Sequence, residues 1–154
     1  GFFVRPVSAE DLTEIAELRI LLECSALETS IDCGDADWEG NLVAAHHKLH
    51  LIEQKMLDGD KSQKEVWKRY DWEFHQALIR ACNSENLLAL HGTIFDKYLR
   101  YQMLVLTYRG AAAVDEHRLM FEAALARDIP KAKATLETHI RLGLAHTLAA
   151  MENL

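Results

Sequence analysis

Apolar residues recur at helical spacing along nearly the whole chain, and short turns cut the pattern into about six segments. Ser8 followed by Asp11 resembles an acidic capping box, and the first helix then runs to about Thr29. IDCGDADW reads as a turn, with Asp35 or Asp37 capping a second helix that ends near Leu57. After DGDKS, where Gly59 is a stop signal, a third helix covers about Ser62 to Cys82. Asn83 or Ser84 opens a long fourth helix ending near Tyr108, before RGAAA. A fifth covers about Ala112 to Arg127, and Asp128 caps a sixth that tolerates Pro130 in its first turn. Residues 7 to 129 contain no proline, and no strand pattern extends beyond the short GFFV at the start. The expected fold is all-α, an antiparallel bundle of about six to seven helices.

Length and charge narrow the class. At 154 residues with 49% hydrophobic content, the chain suits one domain with a continuous core. A net charge of −7 excludes a basic nucleic-acid surface as the main feature of this piece. No apolar run reaches the roughly 18 to 20 residues of a membrane span, and GFFVRPVSAEDL lacks the apolar core of a signal peptide. Cys24, Cys33 and Cys82 are odd in number and form no CxxC, as expected of incidental thiols in a reducing cytoplasm.

Ionisable residues inside apolar faces carry the chemical information. With Asp71 set at zero on the third helix, His75 projects at about 40°, Trp67 at about −40°, Leu78 at about −20° and Phe74 at about −60°. Asp71 and His75 therefore lie in the apolar arc, one turn apart. His117 projects among Val114, Met120, Phe121 and Ala124, and His139 among Ala132, Leu136, Leu142 and Gly143. One inward histidine is usually a satisfied core residue. Three, with an aspartate, would leave several buried polar atoms that one divalent cation can satisfy together. Spacing alone pairs only Asp71 with His75.

Other polar sets compete with this one. His46 and His50 stand four apart with Glu39 and Glu53 on the same side, but this set resembles a solvated, salt-bridged face. Arg19 projects among Leu12, Ile15, Leu22 and Ala26, and Arg100 lies near Asp96 and Leu104. Each inward guanidinium needs an anion, either an internal partner (Glu23 or Asp96) or a ligand.

The segment YDWEFHQALIRACNSENLL resembles the D-x-x-x-H…N-x-x-L stretch of FCD domains, the helical effector domains of FadR-type GntR bacterial transcription regulators. DEHRLMFEAALARDIPKAKATLETHI is similar to the later EH…H-I stretch, and ELRILLE to the opening R-x-x-L-E helix. The resemblance implies that Asp71, His75, His117 and His139 bind a divalent metal inside the bundle. Their N/O set suits Zn²⁺ first, with Ni²⁺, Mn²⁺ or Fe²⁺ as options. It further implies a small carboxylic acid as effector, for which Arg19, Arg100, Asn86 and Tyr101 are the candidate contacts. Residues 1–7 resemble the end of a wing leading out of a winged-helix DNA-binding domain, leaving 8–154 as the effector domain. A homodimer follows from palindromic operators, with DNA held only through the N-terminal domain.

Two alternatives share these residues. A mononuclear metalloenzyme needs a free carboxylate base near the metal, for which Glu116 is the only nearby acid by sequence. Alternatively, the metal is purely structural and both arginines are held in internal ion pairs.

Overall fold

The structure, a computed structural model, describes residues 8–105 and 108–153. The expected wing and linker at 1–7 lie outside the described residues. Six α-helices follow one another: α1 (Ala9–Cys33), α2 (Ala36–Leu57), α3 (Lys64–Ile79), α4 (Glu85–Leu104), α5 (Ala111–Leu125) and α6 (Ile129–Met151). A 3₁₀ turn at Lys61–Gln63 leads into α3, and no strand occurs among the described residues. The all-α bundle expected from the pattern is the fold observed.

The caps read from sequence hold the helix starts. The Ser8, Asp35, Ser84 and Asp128 side chains accept the backbone N–H groups of Asp11, Trp38, Leu87 and Lys131, satisfying donors that helix starts leave free. α1 continues one turn past the expected Thr29 because Ser30 and Ile31 are buried. It ends at Gly34, where a Cβ would fall 2.5 Å from the Trp38 ring, so only glycine lets α2 start this close. The Arg127 guanidinium donates to the carbonyls of Ile31 and Gly34, placing a cation at the carbonyl end of α1. α4 stops at Leu104, short of the expected Tyr108, so Tyr108 and Arg109 belong to the connection into α5.

α1 packs on α6, α4 and α3, while α2 packs on α3 and α5, and α5 on α6. Leu12, Leu27, Leu42, Leu49, Phe74, Leu78, Met120 and Leu136 are fully buried between them. Each such side chain contributes about 1.5–3 kcal/mol through burial. Arg19, Glu23, Glu53, Asp71, His75, His91 and His117 are buried within the same bundle. Every helix from α1 to α5 sends a polar group into this interior, and α6 adds His139 at 11% side-chain exposure.

Candidate metal centre and adjoining cavity

Asp71 and His75 face the bundle interior from α3, as their spacing requires, and His117 and His139 approach from α5 and α6. One nitrogen from each of His75, His117 and His139 lies within 4.8 Å of the others. Asp71 Oδ1 stands 3.6 Å from His75 Nε2 and 3.4 Å from His117 Nε2. The three histidines predicted as ligands therefore meet at one place, with Asp71 beside His75 and His117.

Each histidine is held from behind by a different carboxylate. Glu23 Oε2 lies 2.9 Å from His75 Nδ1, Glu53 Oε2 2.9 Å from His117 Nδ1, and Glu116 Oε1 2.6 Å from His139 Nδ1. A carboxylate at that distance accepts, so each Nδ1 carries the proton and donates it. That leaves each Nε2 as the lone-pair nitrogen, which for His75 and His117 faces Asp71, with Arg19 Nη2 also 3.4 Å from His75 Nε2. Carboxylates behind the rings are the arrangement that orients imidazoles toward a metal. His117 Nε2 is buried without a hydrogen-bond partner among the described residues. An orphaned acceptor in such a place fits a cation.

Charge supports the same fit. Asp71, Glu23, Glu53 and Glu116 against Arg19 and Arg109 leave a formal −2 when the imidazoles are neutral, the balance of one divalent ion. Burial favours the neutral Asp71 acid, but His117, His75 and Arg19 pull its carboxyl down to about 2. Burial disfavours the charged His117 ring, yet the Asp71 and Glu53 carboxylates raise it to about 9. His139 goes the other way: burial and the neighbouring His117 charge lower it to about 3 despite Glu116. Asp71 and Glu53 thus favour positive charge at this place, the sign a cation would supply.

Glu23 also accepts from His91 Nε2 at 2.5 Å and from Arg19 Nε at 3.1 Å, and Gln76 contacts His91 Nδ1 at 3.0 Å. The Arg19 guanidinium lies over the rings of Phe95 and Tyr98, at 4.4 and 4.8 Å from their centroids. Its Nη2 is 3.2 Å from His75 Nδ1.

Beside the centre is a cavity of about 30 Å³, room for roughly two waters. Arg19, Trp67, Tyr98, Arg109 and Gly143 line it, together with Asp71, His117 and His139. A Cβ on Gly143 would fall 2.5 Å from the Tyr98 hydroxyl, so glycine makes the space this ring occupies.

Of the four candidate ligand contacts, the structure brings only Arg19 to this cavity. Arg100 points outward at 75% exposure and pairs with Asp96 at 2.9 Å, because α4 turns Leu88, His91, Phe95, Tyr98 and Leu99 inward instead. Asn86 is exposed in the first turn of α4. The Tyr101 hydroxyl donates to Asp11 at 2.7 Å. The second guanidinium comes from Arg109, which the pattern reading passed over. It pairs with Glu116, and its Nη2 lies 3.4 Å from His139 Nδ1.

Glu53 is also corrected: it is fully buried against His117 and does not belong to a solvated face. The rival His46/His50 pair forms no group of three ligating side chains among the described residues. His46 is half-buried and stacks on Phe121 at 4.1 Å, and burial followed by the His117 charge lowers it to about 4.

Comparison with known proteins agrees with this architecture. The FCD domain family model matches residues 14–142. The uncharacterised HTH-type transcriptional regulator BphR of Paraburkholderia xenovorans (strain LB400) is 32% identical over 147 residues, 94% of this chain and 60% of its own length. The HTH-type transcriptional repressor GlaR of Escherichia coli (strain K12) is 27% identical over 147 residues, 91% of this chain and 66% of its own. The chain thus spans about two thirds or less of these relatives. Among solved structures, the metal-free and Zn²⁺-bound FCD domains of TM0439 superpose with TM-scores of 0.79 and 0.76, both at 21% identity. Each covers 97% of this chain and 100% of its own. E. coli McbR/YncC gives 0.80 at 18% identity, covering 96% of this chain and 69% of its own. With the family model matching most of its length, and with a fold shared with these domains, the chain belongs to the FCD domain family.

Proposed function

We propose that this chain is the effector-sensing domain of a GntR-type transcription regulator, with a divalent cation on Asp71, His75, His117 and His139 and a small carboxylic acid bound beside it. One observation carries the metal assignment: three imidazoles converge within 4.8 Å, each with Nδ1 held by its own carboxylate. The Zn²⁺-bound structure of TM0439 makes zinc the first metal to test. A cation there supplies a Lewis-acidic position for a carboxylate oxygen, and the Arg19 guanidinium at the cavity wall faces the rest of the anion.

In the whole regulator, effector binding shifts the balance between two arrangements of the bundle. The acid must bind one arrangement better than the other. The HTH-type names of the relatives support DNA binding through a further, N-terminal domain. A two-fold dimer in the cytoplasm, suited to palindromic operators, completes the reading.

Elemental analysis of protein purified without chelator or histidine tag tests the centre. About one equivalent of metal is expected, lost in Asp71→Ala/His117→Ala. No metal in either protein after incubation with Zn²⁺ removes the assignment. Calorimetric titration of the loaded protein with short carboxylic acids tests the sensing role.

A second reading, a purely structural metal, is favoured by the small cavity and by the engagement of Arg19 with Glu23. It predicts stoichiometric metal with no heat from any acid. The enzyme reading has less support, because Glu116, the acid it would use as base, is tied to both His139 and Arg109.

A further inference from the structure

Trp67 is 6% exposed, and its indole Nε1–H has no hydrogen-bond partner among the described residues. It stands one turn before Asp71 on α3 and lines the same cavity. Its ring is fixed edge-on against Tyr108, with centroids 5.7 Å apart, and the Tyr108 hydroxyl is held by the Glu53 carbonyl. By contrast, the Trp38 indole donates to the Leu78 carbonyl. A buried donor left unpaired is costly, and here its ring belongs to the wall of the cavity beside the centre. The two guanidiniums of that cavity already have carboxylate partners, Glu23 and Glu116. The Trp67 N–H is therefore a donor a ligand can take without breaking an existing ion pair.

We propose that Trp67 is a specificity residue whose indole N–H selects a short acid carrying a second oxygen acceptor, a hydroxyl or a further carboxylate, over a simple monocarboxylate. The proposal rests on the acid-sensing reading above. Its physical basis is that a site built around a buried donor rejects the analogue that leaves the donor unpaired more strongly than an apolar pocket rejects a changed methylene. With room for roughly two waters as it stands, the cavity must widen to admit any such acid, which puts acids of few carbons first.

The test titrates Zn²⁺-loaded protein with acetate and propionate on one side, and glycolate, lactate, malonate and succinate on the other. The readouts are calorimetry and the ¹⁵N-indole resonances. Wild type is expected to bind at least one of the second group about tenfold or more tighter than the first. The Trp67 indole proton should move while that of Trp38 stays. Trp67→Phe keeps an aromatic ring without the N–H and is expected to lose the preference, the two groups of acids then binding within about threefold of each other.

Wild-type protein that binds acids without this preference overturns the proposal. So does a Trp67→Phe protein that keeps it, and in both cases the acid-sensing reading stands. If none of the six acids binds, that reading fails and this assignment fails with it. Should Trp67→Phe not fold, the indole resonance of wild type decides: a Trp67 proton unmoved at saturation overturns the proposal.

Discussion

Glu53→Gln separates the orienting role of the buried carboxylates from their contribution to packing. Glu53 is fully buried, with Oε2 on His117 Nδ1 at 2.9 Å and Oε1 without a partner. Glutamine keeps the volume and offers a carbonyl to the same N–H, so the change removes charge while leaving shape. Loss of such a carboxylate typically lowers metal affinity about 10–100-fold, equivalent to about 1.4–2.8 kcal/mol. At a fixed free Zn²⁺ concentration well above both dissociation constants, stabilisation by metal falls by that same amount. For a domain of this size each kcal/mol moves Tm by about 2–4 °C. The rise in Tm on adding Zn²⁺ should therefore be smaller in Glu53→Gln by roughly 3–11 °C. Comparing loaded with metal-free protein for each variant cancels any change in the metal-free fold. An increment equal to that of wild type refutes the orienting role. No increment in wild type refutes the centre itself.

Gly143→Ala pushes a methyl into the Tyr98 hydroxyl, with a would-be contact of 2.5 Å. It should cost about 1–3 kcal/mol, visible as a lower Tm of the metal-free protein, and a Tm unchanged within about 1 °C contradicts the packing argument. Arg100→Ala and Asn86→Ala alter exposed residues outside the cavity. Each should leave acid binding unchanged and stability within about 0.5 kcal/mol, checked by calorimetry and urea melts. Cys33 is exposed, Cys82 is buried, and burial followed by the Glu23 charge raises the Cys24 thiol to about 11. Iodoacetamide at pH 8 should therefore modify Cys33 first, and peptide mapping that finds Cys24 labelled equally fast contradicts this.

The helices were legible because their signals are local. Ser8, Asp35, Ser84 and Asp128 each cap the helix that begins just after them, within three residues of the N–H they accept. The ends were harder to place. α1 runs past Thr29 because Ser30 and Ile31 are buried, which depends on neighbouring helices, not on propensity. α4 ends before Tyr108, so Arg109, which the pattern placed past a helix end and left without a role, reaches the centre from a connection.

The same division between local and distant contacts runs through the candidate site. Asp71 and His75 were legible as a pair because one turn of helix puts them side by side. The carboxylates behind the histidines were not, since Glu23 and His75 are separated by 52 residues, Glu53 and His117 by 64, and Glu116 and His139 by 23. No helical period connects such positions. Glu23 did leave a trace, standing four residues after an inward arginine. That spacing gave it an apparent partner in Arg19, and the ion pair is real. Yet the same carboxylate also takes His75 and His91, because a fully buried carboxylate has more lone pairs than one guanidinium contact satisfies. Glu53 shows the converse error. With His46 and His50 on its helix it was assigned to solvent, although it follows Leu49 and Ile52 into the core. A glutamate on an apolar helical face therefore points to a donor on another helix even when a local partner is in view. In this bundle that reasoning leads from Glu23 and Glu53 directly to His75 and His117.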